Sequence, residues 1–429
     1  MFMAKIKPLI LTLMTVLSFI YISKSFVSAT IVNLSQGEFY SSTDIYQMAL
    51  KLESNYPNII HIEVIGQSVD QKPLFAVLMT KDVDDVRRRD DFNVYRQHYL
   101  VEAGTHSRET VNPFIVMKQI EDYAMDYYQD EHIPEFHLSE ELEDVVIHFL
   151  PLTNPDGFDL VKFGEDSIQT QEGLSALLSV DDHDYSNYKA GITGVDHNRN
   201  YPQEYFDIEK NAWVDIWQTH LNAFYSDQPS GEFYPGPYPA SEPEVQTVMH
   251  YILNYDFRNY ISFHSRGNII YWNKYYAPDH YNRRTKELAQ IVSEVNGYEL
   301  SDEDYGKGSG YISDFTSSQT LKPLITIETL SARTKLPTPN HLYLEAYEKN
   351  RLIPLIAIQN GKKIGYHPYR LYVDFTYVRD FEDLLYAKAI AQKYDGEIIE
   401  GTGIPPMILE KEKRAHSIYK LLVKYLPLI

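Results

Sequence analysis

Short apolar runs alternate with longer amphipathic stretches between Ile31 and about Gly361. Runs rich in β-branched or aromatic residues predict buried strands at residues 75–79, 99–103, 145–150, 260–263 and 324–327. Residues 112–128 instead carry apolar side chains at helical spacing, which predicts an amphipathic helix. Continuous apolar strands alternating with helices indicate an α/β fold, with helices on both faces of a mostly parallel or mixed sheet.

Short sequence motifs predict where some helices and loops begin and end. The motif Ser241-Glu242-Pro243-Glu244 predicts a capping box that opens a helix. Residues 181–188 and 228–239 predict long surface loops, a type of segment that is often functional. After Gly361 the pattern changes to a strand at 369–375, a helix at 381–394, a short strand at 397–400 and a helix at 409–425. These elements predict a small α+β appendage.

The first residues have the features of an export signal. Lys5 and Lys7 precede an apolar run at 9–22, and Val27-Ser28-Ala29 offers a small-residue cleavage site. The run is shorter than the roughly 20 residues of a spanning helix. We therefore expect a signal peptide at 1–29 and a secreted or cell-wall-associated bacterial protein, with no integral membrane span after cleavage. An uncleaved anchor is the alternative, because Lys24 separates the run from the cleavage site.

Charge and cysteine content restrict the chemistry. The 429 residues carry a formal net charge of −21, which argues against nucleic acid as a partner because phosphate binding needs a basic surface. The chain has no cysteine, so disulfides, thiol catalysis and cysteine-based metal sites are excluded. Any metal ion must bind to histidine, aspartate or glutamate.

A histidine and a glutamate follow directly after one predicted strand. His106 and Glu109 lie in Gly104-Thr105-His106-Ser107-Arg108-Glu109, just beyond the strand at 99–103. Ligands bind at the carboxyl ends of strands in open α/β sheets. His264, at the end of the strand at 260–263, is the best candidate for a third ligand. A His/Glu/His set that leaves a position open for water is typical of a catalytic zinc site.

Several further motifs occur in the same chain, and together they resemble the zinc metallocarboxypeptidases of the carboxypeptidase A type, especially the bacterial branch that includes γ-D-glutamyl-diamino acid peptidases. The motifs, in chain order, are His106-Ser107-Arg108-Glu109, Asn154-Pro155-Asp156-Gly157, Gly194-Val195-Asp196-His197-Asn198-Arg199-Asn200, Ser241-Glu242-Pro243-Glu244, Phe263-His264-Ser265 and Thr326-Ile327-Glu328. The resemblance implies a mixed eight-stranded twisted sheet and one zinc ion per chain, held by His106, Glu109 and His264.

The resemblance also implies roles for other residues. Glu328 corresponds to the general base that acts with a zinc-activated water. Asn198 and Arg199 match the residues that bind the terminal carboxylate of the substrate, and Arg108 matches a subsite arginine beside the zinc. An arginine suits this task because its planar fork can hold both carboxylate oxygens.

Other positions depart from the animal enzymes. Lys189 stands where those enzymes carry an arginine that stabilises the oxyanion. The tyrosine that closes over the substrate is expected to be Tyr305, with Tyr311 as the competitor. The floor of the specificity pocket falls near Ser313, which is neither apolar nor acidic, and the nearby acidic loop at 302–304 could favour a cationic or zwitterionic end.

The sequence thus predicts a catalytic domain at 31–361 and an appendage of unknown role at 362–429. We expect a monomeric metallocarboxypeptidase that hydrolyses the bond next to a C-terminal residue of a peptide. Two alternatives stay open. One is a γ-D-glutamyl-diamino acid peptidase acting on bacterial cell-wall peptides, and the other is an inactive binding or scaffold protein, which the presence of His106, Glu109, His264 and Glu328 disfavours.

Overall fold

A computed structural model describes residues 30–84, 96–130, 133–180, 184–217, 225–301, 310–373 and 376–402. The described residues from Val32 onward belong to one compact unit. The predicted signal peptide, the acidic loop at 302–304, Tyr305 and the predicted helix at 409–425 lie outside the described residues, as does the start of the predicted loop at 181–188.

The strands of the described residues, in chain order, are Ile60–Gln67 (β1), Pro73–Met79 (β2), Gln97–Ala103 (β3), Val145–Leu150 (β4), Glu204–Asp207 (β5), Ala212–Asp215 (β6), Phe257–Ser265 (β7), Ile269–Tyr271 (β8), Glu299–Ser301 (β9), Leu324–Thr329 (β10), Tyr369–Val373 (β11), Thr376–Phe381 (β12) and Glu397–Glu400 (β13). The central sheet has eight strands in the order β1-β2-β4-β3-β7-β10-β8-β9. Its inner strands β4, β3, β7 and β10 are parallel, whereas β1, β2 and β8 pair antiparallel with their neighbours β2, β4 and β10.

The helices of the described residues are Ser42–Asn55 (α1), Asn112–Gln129 (α2), Leu138–Glu141 (α3), Pro155–Phe163 (α4), Gln171–Leu178 (α5), Pro243–Asn254 (α6), Asp279–Asn296 (α7), Ile312–Gln319 (α8), Tyr343–Asn350 (α9), Ile353–Ile364 (α10) and Leu384–Tyr394 (α11). Every residue of β4 and β7 is buried, as expected for strands covered on both faces. The mixed eight-stranded α/β sheet therefore confirms the predicted fold class.

The predicted capping box at Ser241 is wrong. Glu242 is the residue before the first turn of α6, and no side chain caps the backbone there. The Ser241 hydroxyl instead donates to the Glu242 carboxylate at 2.8 Å. Glu244 accepts from the backbone N–H of Val69 at 3.0 Å, so the two groups that a capping box requires are engaged elsewhere.

Strands β11, β12 and β13 form a second sheet in the order β12-β11-β13. The single strand predicted at 369–375 is the first strand of a hairpin, and the helix predicted from 381 begins at Leu384, because Thr376–Phe381 pairs back onto β11. A buried ion pair joins this sheet to the central one, with Arg258 Nη1 3.0 Å from Asp380 Oδ2. The predicted division between 361 and 362 stays a prediction. Among the described helices, none is both long enough and apolar enough to cross a membrane.

Candidate metal and substrate site

The three predicted metal ligands converge at the carboxyl ends of two neighbouring parallel strands. His106 and Glu109 follow β3, where Gly104 turns the chain with φ of 73°. A side chain at this glycine would meet Leu152 Cδ1 at 2.7 Å, so both the turn and the close approach need glycine. His264 lies in β7, whose residue Phe263 pairs with Ala103 of β3. The strand pairing therefore places all three side chains at one edge of the sheet.

The donor atoms of these side chains face one another. His106 Nδ1 lies 2.7 Å from Glu109 Oε1, and His264 Nδ1 lies 3.0 Å from His106 Nδ1 and 3.2 Å from Glu109 Oε2. All three residues are buried. Ligand atoms bound about 2.0–2.1 Å from a tetrahedral zinc ion would be about 3.3–3.4 Å apart, close to these separations. Two imidazole nitrogens and a carboxylate that point at one another thus fit a zinc ion.

Contacts behind the ligands orient them. Ser265 N–H donates to Glu109 Oε2 at 2.9 Å, and His106 Nε2 lies 3.3 Å from Asp196 Oδ1. Such outer contacts set the ring orientation and the basicity of a ligand histidine. Lys189, Arg199 and His106 hold the pKa of Asp196 well below its usual range, although burial acts in the opposite direction. Asp196 is therefore a fixed negative charge behind His106.

Glu328 lies beside the ligand set without being part of it. It is the register partner of His264 across β10 and β7, and it lines the same cavity as His106 and Glu109. Burial and, after it, the charge of Glu109 raise the pKa of Glu328 to about 7. A carboxyl group with a pKa near neutrality can both accept and return a proton, as a general base does.

The cavity at this site has a volume of about 870 Å³. It is lined by predicted site residues from several parts of the chain, namely His106, Arg108, Glu109, Lys189, Asn198, Arg199, Ser313 and Glu328. Asn198 and Arg199 belong to the short 3-10 turn His197–Arg199. Asn198 Oδ1 accepts from Ile312 N–H at 3.0 Å, and the Arg199 guanidinium lies 4.5 Å from the centre of the Tyr311 ring. These contacts hold an amide and a guanidinium at the cavity wall.

Lys189 is a largely buried residue of this wall. Its Nζ lies 2.8 Å from Asp196 Oδ2 and 4.8 Å from the centre of the Phe233 ring. Burial lowers the pKa of Lys189 from its ordinary value, against the opposing effect of Asp196. The ammonium is therefore engaged in an ion pair with Asp196, and its role toward an oxyanion stays a prediction.

The other predicted site residues that the structure describes also lie at the cavity. Arg108 donates from Nη1 to the Asn187 backbone oxygen at 2.8 Å, and its Nη2 lies 2.9 Å from Glu232 Oε2. Ser313 is in the first turn of α8. Tyr311, the competitor for the closing tyrosine, lines the cavity and precedes that helix, whereas Tyr305 is not among the described residues.

Sequence reasoning missed two contributors. Asp196 contacts His106 and Lys189. The sequence places it in the motif around Asn198 but predicts no role for it. Lys274 was not singled out, although its Nζ lies 2.7 Å from Asp314 Oδ1 at the cavity. Lys274 follows β8, and no sequence pattern predicts that β8 pairs with β10, because the two strands are far apart in the chain.

Comparison with known proteins identifies the family. Residues 45–334 match the zinc carboxypeptidase family, Peptidase_M14, and the match includes the three candidate ligands and Glu328. The chain belongs to this family, whose members are zinc-dependent peptide hydrolases. The predicted family, enzyme class and cofactor are thereby confirmed, and the roles of individual site residues stay predictions.

Individual relatives are distant. The chain is 24% identical to γ-D-glutamyl-L-diamino acid endopeptidase 1 of Lysinibacillus sphaericus, over 67% of this chain and 64% of that protein. It is 24% identical to carboxypeptidase A2 of Mus musculus, over 61% of this chain and 53% of that protein. The chain thus spans less than two thirds of the length of these curated relatives. A crystal structure of thrombin-activatable fibrinolysis inhibitor shares the fold, with a TM-score of 0.59, 18% identity and 79% coverage of both chains.

Proposed function

We propose that this protein is a zinc-dependent metallocarboxypeptidase that removes a C-terminal residue from peptide substrates. The observation that carries the proposal is the convergence of the His106, Glu109 and His264 donor atoms beside Glu328, in a cavity whose wall presents Arg199. A metal site, a base and a binder for a terminal carboxylate thus share one cavity.

Each residue has a distinct task in this proposal. His106, Glu109 and His264 would hold the zinc ion, which supplies polarisation of the scissile carbonyl and acidification of a water. The Glu328 carboxylate would take a proton from the attacking water and return it to the leaving amine. Arg199 and Asn198 bind the terminal carboxylate and thereby place the last peptide bond at the site.

The direct test is the pattern of products. A linear peptide of ordinary L-residues is incubated with zinc-loaded protein, and the masses of the products are followed over time. We expect loss of one residue at a time from the C-terminus, and no loss after chelation of zinc. Internal cleavage, or shortening from the N-terminus, would contradict the proposal.

A second candidate function is hydrolysis of γ-D-glutamyl-diamino acid bonds in cell-wall peptides. It is supported by Lys274, which lines the cavity and whose Nζ lies 2.7 Å from Asp314 Oδ1. The diamino acid diaminopimelate carries an additional carboxylate on its side chain, and the Lys274 ammonium is complementary to that group. The named activity of the Lysinibacillus sphaericus relative is of this kind.

Two substrates separate the candidates. Cleavage of a γ-D-glutamyl-diaminopimelate peptide without cleavage of ordinary C-terminal residues selects the wall peptidase. In that case Lys274→Gln should lower kcat/KM on the wall peptide, because the ammonium at the cavity is lost. The reverse preference selects the carboxypeptidase.

We further propose export of the protein by the segment at 1–29, and action outside the cell or at the wall. The charge pattern of Lys5, Lys7 and the apolar run at 9–22 supports this. Expression of the full chain in a bacterial host, followed by N-terminal sequencing of the extracellular protein, should show a start near Thr30. Retention of the protein inside the cell would overturn the proposal.

A further inference from the structure

A second group of possible metal ligands lies outside the site described above. His197, Glu242 and Glu244 each offer a ligand atom, and these atoms all lie within 4.8 Å of one another. The three side chains are buried, with exposures of 3%, 5% and 3%. They come from two segments, the turn His197–Arg199 and the beginning of α6.

One atom of this group lacks a hydrogen bond. Glu244 Oε1 accepts from Val69 N–H at 3.0 Å, but the buried Glu244 Oε2 has no hydrogen-bond partner among the described residues. The nearest ring nitrogen, His197 Nε2, lies 3.9 Å from it, which is beyond hydrogen-bond range. Two atoms at this separation can still bind one ion, since each ligand would lie about 2.0–2.2 Å from it.

The surroundings fit a bound cation. Glu242 is held in place by two hydroxyls, with Thr193 Oγ1 2.6 Å from its Oε2 and Ser241 Oγ 2.8 Å from its Oε1. Gly191 packs against the imidazole, and a side chain there would meet His197 Nε2 at 2.3 Å. The fold thus keeps three ligand groups together in a site with an uncompensated carboxylate oxygen.

We propose that His197, Glu242 and Glu244 form a second metal site, which takes a divalent ion of the zinc type. An imidazole with two carboxylates suits zinc, whereas calcium and magnesium prefer oxygen ligands alone. Two carboxylates also balance the charge of a divalent ion. On binding, the ion would draw the donor atoms closer together than their present separation of up to 4.8 Å.

This ion would have a positioning role. His197 lies between Asp196, which contacts His106, and Asn198, which lines the substrate cavity. A metal bond from His197 to the first turn of α6 would fix this turn against the helix. The second site therefore stabilises the segment that carries Asn198 and Arg199, without touching the substrate.

Metal counting in separate variants tests the proposal. The full chain is stripped with a chelator, reloaded with Zn²⁺ and dialysed, and the zinc content per chain is measured. We expect two ions in the wild type, one in His264→Ala, one in His197→Ala and one in Glu244→Gln. Glu244→Gln can keep the hydrogen bond from Val69, because its amide oxygen replaces Oε1. Glu121→Gln is the control. It removes a buried carboxylate that belongs to neither group of proposed ligands, and it should retain two ions.

The zinc counts distinguish an absent second site from an incorrect proposed function. One ion in the wild type that is lost in His264→Ala and kept in Glu244→Gln would overturn the second site and leave the peptidase proposal intact. Two ions in both the wild type and Glu244→Gln would also overturn it. If the His197 variant does not fold, His264→Ala still decides, because it should retain one ion only if a second site exists. Loss of the second ion should also lower the melting temperature of the zinc-loaded protein.

Discussion

His264 and Glu328 are register partners on adjacent parallel strands, β7 and β10. One offers its Nδ1 to the candidate metal site and the other lines the same cavity. Their separation is therefore set by the strand pairing at the centre of the sheet and not by a loop. This arrangement keeps a base at a constant distance from a metal ligand, as pre-organised catalysis requires.

Replacement of the base should separate metal binding from turnover. Glu328→Gln keeps the size of the side chain and all three ligands, so zinc content should not change. Since base catalysis contributes about 10²–10⁴-fold, kcat on a peptide substrate should fall by at least that range. Glu294→Gln, an exposed change on α7, serves as the matched control. Near-normal kcat in Glu328→Gln would contradict the assignment.

The pH dependence should report the same carboxylate. The pKa of Glu328 is raised from 4.5 to about 7, and a bound cation nearby would lower it again by favouring the charged form. A base must be deprotonated, so kcat/KM of the zinc-loaded enzyme should fall as the pH drops below about 7. The midpoint is expected between 4.5 and 7. If the residual activity of Glu328→Gln falls at the same acidic pH, the pH dependence belongs to another group.

Loss of one ligand should release the catalytic zinc. His264→Ala removes one of the three donor atoms, and zinc content should fall by one ion per chain relative to the wild type. His137→Ala, which removes a histidine with a side chain 65% exposed, should keep the full content. Full zinc content in His264→Ala would mean that the third ligand is another residue.

Arg199 should act on binding of the substrate carboxylate. Hydrogen bonds to charged groups contribute about 1.5–3 kcal/mol, so Arg199→Gln should raise KM by about 10-fold to 150-fold. The effect should be much smaller for a peptide whose C-terminal carboxylate is replaced by an amide. Arg283→Gln, an exposed arginine on α7, is the control. Equal losses on both peptides would contradict the role of Arg199.

The ion pair between the two sheets should contribute to stability. Asp380 is fully buried and accepts from Arg258 and Lys322. Asp380→Asn leaves these cations short of a counter-charge, and removal of one partner of a buried pair costs about 3–5 kcal/mol. Urea unfolding should therefore show a drop of about that size in the free energy of unfolding. The exposed change Glu397→Gln in β13 should show little effect.

The site was more predictable from the sequence than its surroundings. His106, Glu109, His264 and Glu328 follow or end apolar strands, and parallel strands bring such positions to one edge, so their convergence could be anticipated. Lys274 and Asp196 could not be given roles in the same way. Their contacts join segments whose proximity depends on strand order, which hydrophobic periodicity does not encode.

Errors at the ends of elements have a similar origin. The residues around Ser241 have the spacing of a capping box, but tertiary contacts from Thr193 and Val69 engage both glutamates of the motif. The hairpin of β11 and β12 has an apolar pattern that resembles one strand followed by a helix. In both cases the local sequence pattern predicted one structure, and contacts with distant parts of the chain determined another.

The most direct test of the central claim compares two peptides that differ only at the C-terminus. One ends in a free carboxylate and the other in an amide, and release of the last residue by zinc-loaded wild-type protein is measured alongside Glu328→Gln. The account predicts rapid release from the free acid by the wild type alone, with little release from the amide. Equal release from both peptides, or activity that survives in Glu328→Gln, would contradict it.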